Sequence, residues 1–573
     1  MNLFGSLMLV CLSLTACAQL PQSTGAAMSS DTADAEPVAY RPVLPNVELT
    51  EEILYTYLLS EIAFQRGQMP LAVQGSMDLA DQTRDPRLAA RATKMAIDAG
   101  DIERAMQAFE LWQEIEPDTP ERSRSAALLL LRAGKFDEAQ AEFSKVLKES
   151  SDTGLVFLHV YRFIETHPDK KAALTLVSNL AGQYPALPEA HWSVAHMANL
   201  NGNTELALEE VRRARNLRAD WAMAVSLEAQ ILAGKSPDQA LAVMSEFLSK
   251  YPESREIRLQ YARALLAQQQ YQAARDEFQR LADKHPDGPD MSYTIALISL
   301  QLNDLDRAEE MLNKALSKGG AMQDTVRYYL GQMYEAKQDQ AAALSNYREV
   351  KSGEYLFAAQ LRTAYLLGQS GRREEAHRYL RKIVPEDNQQ RARLSTAEAQ
   401  MLREAGKEAE AYALLQDALQ QLPNHPDLLY AAAMQADRLG KLEEFEQPLR
   451  KLIELMPDSA HAYNALGYGL LERNVRIPEA VELVEKALQL APDDFAIMDS
   501  VGWAYYRDGR LAESLVLLRR AFAASPDPEI AAHLGEVLWV SGGKDEAQTI
   551  WQDSLKKNPD NSYLQTVIKK FVP

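Results

Sequence analysis

A small residue returns fifteen times along this chain at an almost constant interval. The register runs Ala72, Ala105, Ala139, Ala173, Ala207, Ala240, Ala274, Ala308, Ala343, Ala376, Ala411, Phe445, Ala480, Ser514 and Ala547, in steps of 33, 34 or 35 residues. Only Phe445 and Ser514 depart from alanine. A fixed period of this length specifies stacked helix–turn–helix units, none of which can bury its apolar face without its neighbours. The chain is therefore expected to be all-α, an α-solenoid of about fifteen helix pairs wound into a superhelix, offering a long surface instead of a cleft.

The residues around the register punctuate each pair. Twelve positions on comes a proline that ends the second helix, at Pro117, Pro185, Pro252, Pro286, Pro423, Pro492, Pro526 and Pro559. About five positions before it stands a glycine that closes the first helix, as at Gly67, Gly100, Gly134, Gly202, Gly371, Gly406, Gly440 and Gly509. Glycine tolerates the left-handed turn there, and proline cannot continue a helix. Four residues after the small position fall Phe109, Phe143, Phe278, Tyr347 and Trp551, on the same helical face. A Leu-Gly pair or near copy lies in several first helices, at Leu330-Gly331, Leu466-Gly467, Val501-Gly502 and Leu534-Gly535. Together these marks resemble the tetratricopeptide repeat over roughly residues 48–560.

The start of the chain carries a second signal. Residues 1–16 hold no charged side chain and include the run Leu7-Met8-Leu9-Val10-Cys11-Leu12, followed by Leu14-Thr15-Ala16-Cys17. This resembles a bacterial lipobox, which implies cleavage before Cys17 and lipidation of that cysteine. The apolar run is too short to span a bilayer and reads as a removable signal. No Lys or Arg precedes it, so either the start lies elsewhere or the amino terminus alone supplies the positive charge. Ala18, not Asp, follows the cysteine; by resemblance to enteric lipoprotein sorting this implies an outer-membrane location facing the periplasm. Cys11 would leave with the signal, so the mature chain could form no internal disulfide. Residues 17–47, rich in Pro, Ser, Thr and Asp, read as a lipidated tether that would reach on the order of 30 Å as a coil.

The organisation expected is a signal at 1–16, a tether at 17–47, a repeat solenoid at 48–457, and at 458–573 the repeats nearest the family pattern with a terminal capping helix. Thr50 is a good N-cap, and Leu54, Leu58 and Ile62 mark one face of the first helix. Pro448 falls inside an expected second helix, which should kink there or start late. The turn from Arg473 to Pro478 is enlarged, and Gly319-Gly320 loosens another place.

Charge and chemistry narrow the function. A formal net charge of −20 without a basic stripe argues against nucleic acid. The nine histidines are scattered, and His191 and His196 are five apart, unlike a metal pair at i, i+4. No catalytic constellation, metal site or cofactor is expected, and the chain does not read as an enzyme. In the tetratricopeptide family the first helix of each pair lines the inner groove. The resemblance thus implies protein-binding positions at Asn464, Tyr468, Asp499, Trp503, Tyr506 and Trp539, with Trp192, Tyr293, Tyr328, Tyr365 and Tyr430 continuing the face upstream. Tyr and Trp are favoured anchors of protein interfaces. The lysine–asparagine–arginine carboxylate clamp of chaperone cofactors is not recognisable.

Anchor, tether and repeat number together resemble the large tetratricopeptide lipoproteins of pseudomonads. That resemblance implies a non-enzymatic scaffold whose partners are a periplasmic carboxyl-terminal processing serine protease and peptidoglycan cross-link hydrolases as substrates. A structural lipoprotein of an exopolysaccharide-export, pilus or secretion machine is the alternative.

Overall fold

The computed structural model describes residues 44–116, 119–285 and 289–572. The signal, Cys17 and most of the tether lie outside them. Residues 44–50 carry neither helix nor strand. Among the described residues there are thirty-one helices and no strand. Thirty helices fall in the fifteenfold register, and one more follows. The chain divides into two compact units, the first ending at Ser236 and the second beginning at Pro237. The first holds eleven helices, from Glu51–Gln65 to Ala222–Ala233. The second holds twenty, from Pro237–Lys250 to Ser562–Phe571. Within each unit, consecutive helices pack antiparallel across short turns, so each unit is an α-solenoid.

The register explains the packing. Every one of its fifteen residues is 0–3 % exposed, including Phe445 and Ser514. A small side chain at this point of the second helix lets the two helices of a pair approach closely. The large residue one turn later then closes the gap over the glycine of the first helix. A Cβ at Gly535 would lie 2.0 Å from Nε1 of Trp551, and one at Gly331 would lie 2.5 Å from the ring of Tyr347. Gly467 and Gly502 meet Val484 and Leu518 in the same way. The Leu-Gly mark and the large residue are thus two halves of one contact. Ser514 keeps its small size and adds a hydrogen bond, its Oγ donating to Gly502 O at 2.6 Å.

Chain turns follow equally local rules. Gly509 closes its first helix at φ 85°, in the left-handed region that costs glycine nothing. Where the sequence offers no glycine, Gln269, Asn303, Gln338 and Asn474 take the same conformation. The enlarged turn after Arg473 adds a second left-handed residue, Arg476 at φ 50°. Gly319 and Gly320 are both left-handed as well.

Pro448 does not delay the start of its helix. The Leu442–Leu455 helix begins three residues before Phe445, in the same register as its counterparts, and runs through the proline without a late start. Phe445, Leu449 and Leu452 are all buried on it, and that apolar burial offsets the one missing backbone donor. The shortened second helices lie elsewhere, at Gln340–Arg348 and Arg373–Leu380. Neither pair has the proline twelve residues after its alanine.

Buried charge also follows the period. His191 Nδ1 lies 2.6 Å from Glu210 Oε2, and its Nε2 lies 2.9 Å from Pro185 O. Two repeats on, Arg258 donates to Glu277 Oε2 and to Pro252 O, each at 2.6 Å. One slot between the helices of a pair therefore accepts either a histidine or an arginine side chain, provided that a carboxylate and a turn carbonyl meet it.

Candidate protein-binding face

The first helices of the last three pairs, Ala460–Glu472, Phe495–Arg507 and Pro528–Val540, pack side by side, and the terminal Ser562–Phe571 helix continues the row. The last three of these begin at a polar cap. Asp494 accepts from the amides of Ala496 and Ile497, Asp527 from Glu529 with Pro528 in the first turn, and Asn561 from Leu564. Those caps fix where each helix starts, and so which of its residues face the row.

Tyr468 gives the row its shape. Its hydroxyl donates to Glu529 Oε1 at 2.7 Å, although the two residues stand two pairs apart with the Phe495–Arg507 helix between them. Neighbouring helix axes are usually about 8–10 Å apart. Contact across an intervening helix requires the row to curve inward on this side. The face is therefore concave within the C-terminal repeats.

Beneath it lies a polar network. The Asp499 carboxylate meets His533 Nδ1 at 2.9 and 3.1 Å, and His533 Nε2 lies 3.0 Å from the Tyr563 hydroxyl. Trp503 stacks on the His533 ring at 4.2 Å and donates Nε1–H to Glu472 Oε1 at 3.2 Å. Tyr506 donates to Glu536 Oε1 at 3.2 Å, and Lys570 holds the same oxygen at 2.8 Å. Burial raises the Tyr506 phenol to about 12, helped by the Glu536 carboxylate. Tyr468 is pushed up further, by burial and by Glu529 and Glu472.

The six residues singled out by sequence divide into two groups. Asp499 and Trp503 are each 6 % exposed and sit between neighbouring first helices. Asn464, Tyr468, Tyr506 and Trp539 are partly exposed. Trp539 stacks on Trp551 at 5.8 Å beneath the Lys544 ammonium, and Asn464 Oδ1 is buried without a hydrogen-bond partner among the described residues. Asp499 and Trp503 pack between the helices, while the other four keep part of their surface exposed.

Sequence reasoning passed over His533, Glu529, Glu536 and Tyr563. A signal for two of these contacts was present: Asp499 to His533 and Glu536 to Lys570 are each 34 residues apart, one full period. Opposite charges at that offset face each other on adjacent helices of the row.

Upstream in the second unit, Tyr328 stacks on Tyr355 at 4.6 Å, and Tyr293 meets Tyr329 edge-on at 5.7 Å. Tyr365 lies under the Arg362 guanidinium at 4.6 Å, and Tyr430 is exposed. In the first unit Trp192 stacks on His196 at 5.3 Å and donates to Met223 O at 3.2 Å.

His533 makes the network pH-sensitive. Its burial disfavours the charged imidazole, but Asp499, with Glu529 and Glu472 behind it, outweighs that and raises the pKa above the ordinary value. A raised pKa in the folded state stabilises the fold fully below the unfolded value of about 6.5, and the gain is lost as pH rises through the folded pKa. The urea midpoint of the C-terminal repeats is therefore expected to fall as pH is raised from about 6 to about 9, and His533→Gln to flatten that dependence. An equal slope in the variant would assign the effect to other groups.

The tetratricopeptide repeat family matches over residues 232–298 and 265–321. A TPR repeat-containing protein of Pseudomonas aeruginosa is 34% identical over 488 residues, covering 85% of this chain and 82% of that protein. Similar solved structures include a thermophilic TPR protein of Thermus thermophilus, 23% identical, covering 32% of this chain and 99% of that one with a TM-score of 0.29. A tetratricopeptide repeat protein from Parabacteroides merdae is 15% identical, covering 50% of this chain and 99% of that one with a TM-score of 0.33.

Proposed function

The chain belongs to the tetratricopeptide-repeat family, a fold that typically serves as a non-catalytic scaffold for other proteins, and we propose that it is an adaptor for periplasmic proteolysis. In this reading Cys17 is lipidated and anchors the chain to the outer membrane, facing the periplasm. One surface docks a carboxyl-terminal processing serine protease. The concave C-terminal face holds its substrates, peptidoglycan cross-link hydrolases.

The observation that supports this most is the curved, aromatic-lined face itself. Tyr468, Tyr506 and Trp539 bring large, stiff side chains to one concavity, and such residues supply most of the energy of protein interfaces. Holding enzyme and substrate on one scaffold makes their encounter effectively intramolecular, so the rate gain needs no catalytic group in the scaffold.

The test uses the mature chain with purified components. It should accelerate cleavage of a murein hydrolase by a carboxyl-terminal processing protease, and should be retained on membranes only while Cys17 is intact. Tyr468→Ala with Tyr506→Ala is expected to weaken hydrolase binding roughly tenfold or more, while the protease alone cleaves as before. Failure to bind either protein, with recovery of secretin or polysaccharide-export components from envelope extracts, would replace this reading with the export-machine alternative.

A further inference from the structure

The two ends of the repeat array are treated differently. At the carboxyl end the Ser562–Phe571 helix covers the last pair, burying Leu564 and Val567 and turning Lys569 and Lys570 outward. At the other end the Glu51–Gln65 helix buries only Ser60 and Ala63. Its Leu54, Leu58 and Ile62, the stripe read from sequence, point away from the repeats, together with Tyr55 and Leu59. Tyr55 is 67 % exposed. A helix that is apolar on both its inner and its outer side is normally covered on both, and exposed solenoid ends ordinarily carry a polar face.

We propose that this outer face is a self-association surface, on which a second copy of the chain docks through the same helix in antiparallel orientation. About a centre between Leu58 and Leu59 the outward residues of the helix can complement a second copy of themselves. Tyr55 and Ile62 are equidistant from that centre, and so are Glu51 and Arg66. The spacing Glu51, Tyr55, Leu58, Ile62, Arg66 keeps all five on one helical side. Laid against itself about a twofold axis, the helix pairs Leu58 with Leu59, Tyr55 with Ile62, and Glu51 with Arg66, each contact occurring twice. Among the described residues neither Glu51 nor Arg66 has an ion-pair partner within its own chain. Antiparallel docking also opposes the two helix dipoles.

Area and charge agree with this occupant. Leu49, Leu54, Tyr55, Leu58, Leu59 and Ile62 leave on the order of 600 Å² of apolar surface per copy, roughly 1,200 Å² for the pair, the low end for a specific interface. A lipid surface fits poorly: Glu51, Glu52 and Glu61 lie along the helix with Arg66 as its only cation, whereas helices at membrane interfaces carry Lys and Arg. The inference stands independently of the proteolytic role proposed above.

The test is sedimentation velocity on the chain from residue 17 onward, with Cys17→Ser so that no lipid contributes, over about 1–100 μM. A reversible monomer–dimer equilibrium is expected. Leu58→Asp should abolish it with the far-UV circular dichroism unchanged, since the side chain is exposed. Glu51→Arg should weaken it about tenfold, and Glu51→Arg with Arg66→Glu should restore it to within about twofold. Both charge reversals oppose the dipole of their own helix, so recovery in the pair can come only from contact between copies. A chain that stays monomeric throughout, a dimer indifferent to Leu58→Asp, or a double reversal weaker than the single one overturns the proposal. Flotation of the monomer with phosphatidylcholine vesicles, lost in Leu58→Asp, would assign the face to lipid.

Discussion

Trp551→Ala is expected to destabilise the last repeats by about 3–5 kcal/mol, the usual effect of deleting a fully buried large aromatic. Four contacts disappear together. The indole fills the notch over Gly535, where even one added carbon would collide with it. It stacks on Trp539 at 5.8 Å and on Phe571 at 5.9 Å. Its Nε1–H points at Ala532 O, 3.4 Å away. Phe571 belongs to the terminal helix, so the variant also loosens the cap on the carboxyl end. In a repeat array this loss stays near its source, because each unit leans only on its neighbours. Hydrogen exchange should accelerate over 528–571 while the helices of the first unit keep their protection. A loss below about 1 kcal/mol, or one spread evenly along the chain, would mean that this notch does not hold the last pairs together.

What could be read from sequence follows from the range over which each feature is decided. The pairing of helices and the burial of all fifteen register residues rest on contacts between helices a few residues apart in the chain, and period plus side-chain size specify them. The Leu-Gly mark was legible as a family sign, and its cause, a notch filled from the next helix, became visible only in three dimensions. The candidate face was half legible. Its aromatics occupy repeat positions that the family pattern identifies. Which of them are exposed depends on curvature, which small offsets accumulate over several pairs; hence Trp503 is buried while Tyr506, three residues on, is not. The Tyr468–Glu529 bond joins residues 61 apart and has no signature in any single repeat. At the amino end, a stripe at i, i+4, i+8 states that a helix has an apolar side. It does not state what covers that side, and here the repeats cover the opposite one. The helix through Pro448 starts in register for a related reason: propensity counts a missing donor, and the burial of Phe445, Leu449 and Leu452 decides.

The one place where the small residue of the register becomes large supplies the most demanding check on the packing rule. Phe445 occupies an alanine slot and is 1 % exposed, and the space for its ring comes from Gly469 in the next first helix. A Cβ on that glycine would stand 2.3 Å from the ring's Cζ. Arg473, one turn further on, covers the ring with its guanidinium at 5.2 Å and donates to Gly469 O at 2.9 Å. Size has moved from one helix to its neighbour while the total is kept. Phe445→Ala alone should cost about 3–5 kcal/mol through the cavity it leaves. Gly469→Leu alone should destabilise by about 1–3 kcal/mol or more by overfilling the site. Combined, the leucine enters the space the phenylalanine vacated, and the double variant should be more stable than the sum of the two losses by about 0.5–3 kcal/mol, the coupling of residues in direct contact. The three variants, compared by urea unfolding of the full chain, decide it. Strict additivity would mean that the ring and the glycine do not share one space, and that the exchange of size between helices is not what lets this repeat keep its register.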